Sequence, residues 1–237
     1  MGPGYTQAEL GGLQTLVVAG AASGLNVAVL HGYGADAFDL LPLCREIDAP
    51  AGTTWLFPHA PLQVEIGPHT MGRAWFPIDL VALQLAMLSG RAPDMSRSSP
   101  PELARSRSLV AAMLHAAGAP LERTVLMGFS QGAMVATSLA LESPVAPAGL
   151  AILSGTLLDE ASWRNLAPRH SGLRFVQSHG RDDPLLSHAV AQRLHHLLND
   201  AGWRGQFVSF GGGHEIPGAV IAKCAQLLRE VAPGPLA

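Results

Sequence analysis

The sequence has few charged residues and few cysteines, and both shortages narrow the class of protein that it can be. Only 14% of its 237 residues are charged, the net charge is -3, and the lysines and arginines do not gather into a basic stripe. A phosphate backbone is bound mainly through such stripes, so we expect no nucleic-acid partner. The two cysteines, Cys44 and Cys224, are far apart and have no C-x-x-C companion, which favours free thiols in a reducing compartment over a disulfide.

Long hydrophobic runs are also missing. No run reaches the roughly 18 apolar residues that a membrane-spanning helix needs, and no Lys or Arg precedes Arg45 to open a secretory signal. We therefore expect a cytoplasmic protein without stable membrane insertion. His31 and His59 lack further ligands at a familiar spacing, so no metal site is expected. A homodimer is left open.

The sequence does have enough apolar material for a large core. Hydrophobic residues make up 48% of the chain, which excludes the low-hydrophobicity signature of disorder. The length fits a single domain over residues 1–237, since α/β folds often reach this size as one unit. Ser, Pro and Arg crowd residues 89–101, which predicts an exposed loop, and we expect loose termini at residues 1–10 and 232–237.

Short apolar runs alternate with helix-like segments along most of the chain. The runs cover residues 15–20, 25–32, 53–61, 123–130, 148–155, 173–180 and 205–214, and the helix-like segments cover residues 37–47, 101–117, 131–142, 187–201 and 217–231. From the second onward the runs are continuous rather than alternating, as in strands buried on both faces of a parallel sheet. This order predicts an α/β fold with a mostly parallel central sheet flanked by helices on both faces. Ligands bind such sheets beyond the carboxyl ends of the strands.

The segment GFSQG, residues 128–132, carries the clearest chemical signal. It joins an apolar run to a helix-like segment, which is the context of a nucleophile elbow. That turn is so tight that the serine adopts strained backbone angles and its neighbours must be small. A serine hydroxyl at this turn points away from the sheet, toward the space that the first amides of the helix face. We therefore predict that Ser130 is a nucleophile.

A serine nucleophile needs a base within reach and an acid that orients the base. The order Ser, then Asp or Glu, then His along the chain is that of the α/β-hydrolases. Two later runs end in suitable residues, because Asp182 and Asp183 follow residues 173–178 and His214 follows residues 206–210. His214 is thus the candidate base, and the spacing leaves both aspartates open as the acid.

Such a reaction also needs two N–H groups to stabilise its oxyanion. One is expected from the residue after the nucleophile, Gln131. The other is expected from the loop after an earlier strand, where the glycines of HGYG, residues 31–34, free the backbone to turn an amide inward. We predict that the amides of Tyr33 and Gln131 form the oxyanion hole.

The motifs LHGYGAD, FPHAP, RAWF, GFSQGA, HGRDDP and GGGHE occur in this order. The set resembles the phospholipase/carboxylesterase family of small α/β-hydrolases, which includes the acyl-protein thioesterases, over residues 25–230. The resemblance implies an α/β-hydrolase fold, Ser130 as nucleophile, Asp183 as the acid because it directly precedes the proline, and His214 as the base. It also implies the two oxyanion amides named above and a mechanism without a cofactor.

The resemblance bears on the substrate as well. The family's WF pair lies near its site, which favours Trp75 and Phe76 as substrate contacts, while a helix covering the core explains these and the apolar residues 77–88 that follow equally well. Tyr33 stands where eukaryotic thioesterases usually have leucine, and GHE at residues 213–215 is more similar to the bacterial carboxylesterase branch. We expect cleavage of a small-molecule acyl ester through an acyl-serine intermediate. Thioesterase or lysophospholipase activity of the same site, and a non-catalytic binding module, are the alternatives.

Overall fold

The computed structural model describes residues 4–79, 81, 85, 88 and 92–232. Its strands β1 to β10 are Thr6–Leu10, Leu13–Val18, Asn26–Leu30, Thr54–Pro58, Leu62–Gly67, Thr70–Ala74, Thr124–Phe129, Gly149–Leu153, Arg174–Gly180 and Arg204–Phe210. Eight of them form one sheet in the order β1-β2-β4-β3-β7-β8-β9-β10, and β5 and β6 form a separate hairpin. At one end of the sheet, β1 pairs with β2 and β2 pairs with β4 in the antiparallel sense, whereas every pair from β4 through β3 to β10 is parallel.

Helices connect most of these strands. The helices α1 to α7 are Ala37–Leu40, Leu43–Glu46, Pro101–Ala116, Gln131–Glu142, Glu160–Leu166, His188–Asp200 and Gly218–Val231. Within the described residues, no helix combines the length and the apolar character that crossing a bilayer requires.

The central strands are buried on both faces of the sheet. In β7, Leu126 packs in the same core cluster as Met134 of α4, whereas Val125 and Met127 pack in a second cluster with Val220 of α7. Successive residues of a strand point to opposite faces, so a strand with helices on both sides must be apolar at every position. The predicted α/β fold, a mostly parallel sheet flanked by helices on both faces, is confirmed.

One predicted helix is divided in two. Residues 37–47 form α1 and α2 with Pro42 between them, and proline has no N–H with which to continue the hydrogen bonds of a helix. Asp36 caps α1: its carboxylate accepts from the Phe38 N–H at 2.7 Å, and its own N–H donates to the Asp39 carboxylate at 2.7 Å. This cap holds the loop that leaves β3 in a defined direction.

The N-terminus corrects one expectation. Residues 6–10, predicted to be loose, form β1 and pair with β2 from Thr6 opposite Val17 to Leu10 opposite Leu13, because the sheet edge satisfies their backbone groups. Residues 92–100 have neither helix nor strand, as expected for a loop, but Ser96 is buried. Residues 1–3, 89–91, 233–237 and most of the predicted covering segment 77–88 beyond Asp79 lie outside the described residues. The single domain stays a prediction.

The contact between α4 and β3 depends on the missing side chain of Gly132. A Cβ atom at this position would lie 2.1 Å from the carbonyl oxygen of Leu30. Because that neighbour is backbone, the helix would have to shift, and overpacking of this kind costs about 1–3 kcal/mol or more. We expect Gly132→Ala to lower the free energy of unfolding by at least about 1 kcal/mol in urea denaturation.

Gly218→Ala is the matched control for this substitution, because a Cβ atom at Gly218 would meet nothing within 4 Å. It is expected to change the free energy of unfolding by less than about 0.5 kcal/mol, as surface substitutions usually do. Equal losses in the two variants would contradict the packing of α4 on β3.

Candidate active site

Ser130 occupies a strained turn between β7 and α4. Its backbone angles are φ 54° and ψ -119°, a left-handed conformation that side chains rarely adopt. The Ser130 N–H donates to the Leu153 carbonyl at 2.8 Å and so pins the turn to β8. A Cβ atom at Gly128 would lie 2.3 Å from the Gly132 carbonyl oxygen. The two glycines of GFSQG therefore allow the strand and the helix to approach, and the half-buried serine at the turn faces the adjoining pocket.

A largely apolar pocket of about 600 Å³ opens at Ser130. This volume lies in the usual range for small-molecule sites, about 300–1,000 Å³. Five of the seven residues predicted for the site contribute to its lining, namely Tyr33, Phe76, Ser130, Gln131 and His214. Its apolar wall includes Ile78, Met95, Phe129, Met134, Leu185 and Leu186. The pocket thus brings the sequence-predicted residues together at the carboxyl ends of β3 and β7.

His214 is oriented by Asp183. The Nδ1 atom of His214 lies 2.7 Å from Oδ2 of Asp183, with the geometry of a hydrogen bond. The Asp182 side chain is exposed, so Asp183 is the aspartate that contacts the histidine. The His214 ring also packs 4.8 Å, centre to centre, from Phe129, the residue before Ser130. Among the described residues, Ser130 Oγ and His214 face the same pocket but share no hydrogen bond.

The Asp183 carboxylate is ionised although it is buried. Burial alone would raise the pKa of Asp183, but the hydrogen bond and charge of His214 and the backbone N–H groups of Leu186 and Leu185 outweigh it and lower this pKa below its ordinary value. The two N–H groups donate to Oδ1 at 3.0 and 2.8 Å. Asp183 therefore presents Oδ2 to His214 from a fixed position.

His179 braces the same turn, and sequence reasoning missed it. Its side chain is fully buried, and Nε2 lies 2.9 Å from the Leu186 carbonyl oxygen and 3.3 Å from Oδ2 of Asp183. Both neighbours are acceptors, so Nε2 carries the proton of the neutral ring, and burial lowers the pKa of His179. The only sequence signal for His179 is that it is the first residue of the motif HGRDDP, at the end of β9.

The amides of Tyr33 and Gln131 are available to a ligand. Gln131 is the first residue of α4, so its N–H has no acceptor inside the helix. Nε2 of His31 accepts from the Ala60 N–H at 3.0 Å, which places the ring proton on Nδ1, where it donates to the Gly32 carbonyl at 2.8 Å. Because a trans peptide points its C=O and N–H in opposite directions, this bond turns the Tyr33 N–H away from His31.

Trp75 does not line the pocket, contrary to the expectation of a substrate contact. Its indole is fully buried and donates from Nε1 to the His31 carbonyl at 2.9 Å. The Gln131 side chain links Trp75 and Phe76. Its Oε1 accepts from the Trp75 N–H at 2.8 Å, and its Nε2 donates to the Phe76 carbonyl at 2.7 Å. Trp75 thus supports the loop from behind, while Phe76 faces the cavity. Sequence reasoning assigned Gln131 an amide role alone and missed this side-chain link.

A metal is not indicated by the side chains around the site. In the part of the chain that the structure describes, no three His, Cys, Asp or Glu side chains come together as metal ligands would. The groups that the geometry offers to a substrate are the Ser130 hydroxyl, the His214 imidazole and two backbone amides, all at one apolar pocket.

Comparison with known proteins places this geometry in context. The family model described as phospholipase/carboxylesterase matches residues 17–232. An acyl-protein thioesterase 1 from Mycosarcoma maydis is 28% identical over 234 residues, which cover 93% of this chain and 95% of that protein. Two solved carboxylesterases share the fold. The one from Mesorhizobium loti has a TM-score of 0.71 at 21% identity and covers 95% of this chain and 98% of its own. The one from Bacillus cereus has a TM-score of 0.69 at 18% identity and covers 92% and 94%.

The buried His31 predicts how stability depends on pH. Burial lowers its pKa from 6.5 to about 4, so the folded chain keeps the ring neutral where the unfolded chain protonates it. Stability is therefore complete above pH 6.5 and is lost as the pH falls to about 4, by about 3 kcal/mol from this residue. His59, His179 and His195, whose pKa values burial also lowers, act in the same direction.

Urea denaturation of the wild type and His31→Gln at pH 7 and pH 4 tests this. We expect the variant to lose roughly 3 kcal/mol less than the wild type between the two pH values. His196→Gln, an exposed position on α6, is the control and should follow the wild type. The same pH dependence in the wild type and His31→Gln would contradict the neutral, buried ring.

Proposed function

The chain belongs to the phospholipase/carboxylesterase family, and from this we propose that it is a serine hydrolase that cleaves carboxylic esters through an acyl-serine intermediate. The family supports hydrolysis of esters in general. One observation carries the finer assignment: a buried, ionised Asp183 holds His214 at 2.7 Å, and that histidine faces the same apolar pocket as a serine on a strained turn.

We assign Ser130, His214 and Asp183 the roles of nucleophile, base and acid. Ser130 Oγ attacks the ester carbonyl while His214 Nε2 takes its proton, and the bond to the leaving alcohol then breaks as His214 returns a proton to it. His214 next takes a proton from water, which attacks the acyl-serine. The acyl–Oγ bond then breaks as His214 returns that proton to Ser130 Oγ, which releases the acid and restores the serine. Asp183 holds the histidine tautomer with Nδ1 protonated and stabilises the imidazolium that forms.

The negative charge of the tetrahedral intermediate falls to the amides of Tyr33 and Gln131. Backbone donors that are fixed before the reaction stabilise developing charge without reorganising, and one such donor is typically worth a factor of about 10² to 10³. His31 fixes the peptide that carries one amide, and the helix start carries the other. Only side chains and backbone groups take part, so no cofactor is assigned.

The pocket favours an apolar acyl group on a small-molecule substrate. Phe76 and the other apolar residues of its wall offer surface to an alkyl chain rather than to a polar one. Hydrolysis of acyl thioesters is the second candidate, because the same steps cleave a thioester. The Mycosarcoma maydis relative, which is similar to this chain along nearly its whole length, is an acyl-protein thioesterase. Turnover of an ester, a thioester and a lysophospholipid with one common acyl chain separates these activities. The cytoplasmic location stays a prediction from the sequence.

The nucleophile is tested by Ser130→Ala. Because the three side chains act as a unit, the variant should lose a factor on the order of 10⁶ in turnover of an aryl ester. A fluorophosphonate, which reacts with an activated serine, should label the wild type and not the variant. Labelling that persists in Ser130→Ala would assign the activated nucleophile to another residue. Folded wild-type protein that is never labelled would contradict the hydrolase and leave a binding module with this fold.

The acid is tested by a matched pair, Asp183→Asn and Asp182→Asn. An amide at Asp183 favours the wrong histidine tautomer, so turnover should fall by about 10⁴ with the fold intact. Asp182 is exposed and outside the proton path, so its variant should lose less than about tenfold. Both variants are measured on one ester, with circular dichroism as the check on folding. The reversed ranking would move the acid to Asp182, and small equal losses would remove both.

A further inference from the structure

One wall of the pocket is an irregular segment, residues 92–100, which we call the strap. Pro93, Met95, Ser98, Ser99 and Pro100 of the strap line the cavity. None of these residues belongs to the reacting group around Ser130. An acetyl group needs only the atoms next to Ser130, whereas a longer acyl chain must use the rest of a cavity of about 600 Å³.

The strap is attached to the body of the protein from its outer side. The first amides of α5 lack acceptors within the helix and donate to the strap instead, from Glu160 to the Ser96 carbonyl at 2.8 Å and from Asp159 to the Ser98 carbonyl at 3.0 Å. Met95 packs against the main core cluster. These contacts fix the middle of the strap, from Met95 to Ser98.

The guanidinium of Arg193 also holds the strap, at Asp94 and Ser96. Arg193 of α6 donates from Nη1 to Oδ2 of Asp94 at 2.8 Å and from Nη2 to Oγ of Ser96 at 3.2 Å, and Nη2 also contacts Oε2 of Glu160 on α5. The Asp94 carboxylate is tied in turn to the Ser96 N–H at 2.9 Å. Arg193 therefore joins three elements at one point, and it does not itself line the cavity.

We propose that Arg193 is a positioning residue for substrate specificity, which holds the strap against the acyl chain and so favours long acyl esters over acetyl esters. The inference rests on the proposed ester hydrolysis. A gap of 0.5–1 Å already forfeits a quarter to a half of the dispersion attraction between packed atoms. Release of the strap therefore weakens binding of a long chain and leaves the chemistry at Ser130 unchanged.

The test compares p-nitrophenyl acetate with p-nitrophenyl octanoate. In Arg193→Gln, kcat/KM for the octanoate should fall about fivefold, mainly through KM, while kcat/KM for the acetate stays within about twofold. Arg193→Lys keeps the charge without the two-armed geometry and should lie between the wild type and Arg193→Gln. Asp94→Asn removes the same ion pair from the strap side and should reproduce the selective loss, which covers the case that Arg193→Gln does not fold.

Arg164→Gln is the matched control. Arg164 pairs with the same Glu160 at 2.9 Å and has no hydrogen bond or ion pair with the described residues 92–100, so its loss removes an arginine from the network without releasing the wall. The ratio of octanoate to acetate turnover should stay at the wild-type value in this variant. An unchanged ratio in folded Arg193→Gln and Asp94→Asn, or an equal change in Arg164→Gln, would overturn the role of Arg193 alone. Failure of the wild type to hydrolyse either ester would overturn the proposed function, and this inference with it.

Discussion

The close approach of α4 to the ends of β3 and β7 is the contact on which the site depends. It requires glycine at positions 128 and 132, because a Cβ atom at either would lie within 2.3 Å of backbone. The approach forces Ser130 into its left-handed conformation and aims the first amide of α4 at the space beside the serine. It also brings the loop after β3 within reach of α4. The proposed nucleophile and both proposed oxyanion amides are therefore positioned by one packing contact.

Buried hydrogen bonds then remove the remaining freedom from the loop. His31 satisfies both ring nitrogens with backbone groups, and Trp75 and the Gln131 side chain satisfy three more backbone groups behind the pocket. A buried polar group without a partner costs about 1–3 kcal/mol, so each of these bonds selects one arrangement over its alternatives. Asp183 is fixed in the same way, by the N–H groups of Leu185 and Leu186 and by the turn that His179 braces.

The packing of α4 and the buried hydrogen bonds explain which features could be predicted from the sequence and which could not. The parallel sheet could be predicted because strands buried on both faces are apolar throughout. The motifs GFSQG, HGRDDP and GGGHE could be recognised because they stand at strand ends, where ligand-binding residues of such sheets lie. The role of Trp75 could not be read in this way. It is adjacent to Phe76, and only the packed structure decides which of two neighbouring aromatic residues faces the cavity. His179 and the pairing of β1 depend likewise on partners distant in the chain.

The two ends of the pocket are stabilised by different interactions. The proposed reaction and the proposed acyl-chain specificity therefore depend on different parts of the structure. The reacting end is held by buried hydrogen bonds, which the low dielectric of the interior strengthens. The strap is held partly by ion pairs of half-exposed side chains, such as Arg193 with Asp94, which water and salt weaken. Under the proposed function, a change in the strap would therefore alter the acyl chain that the pocket accepts without disturbing Ser130, His214 or Asp183. If the proposed groups react as assigned, their independence from the strap would let one fold host related hydrolases that differ in substrate.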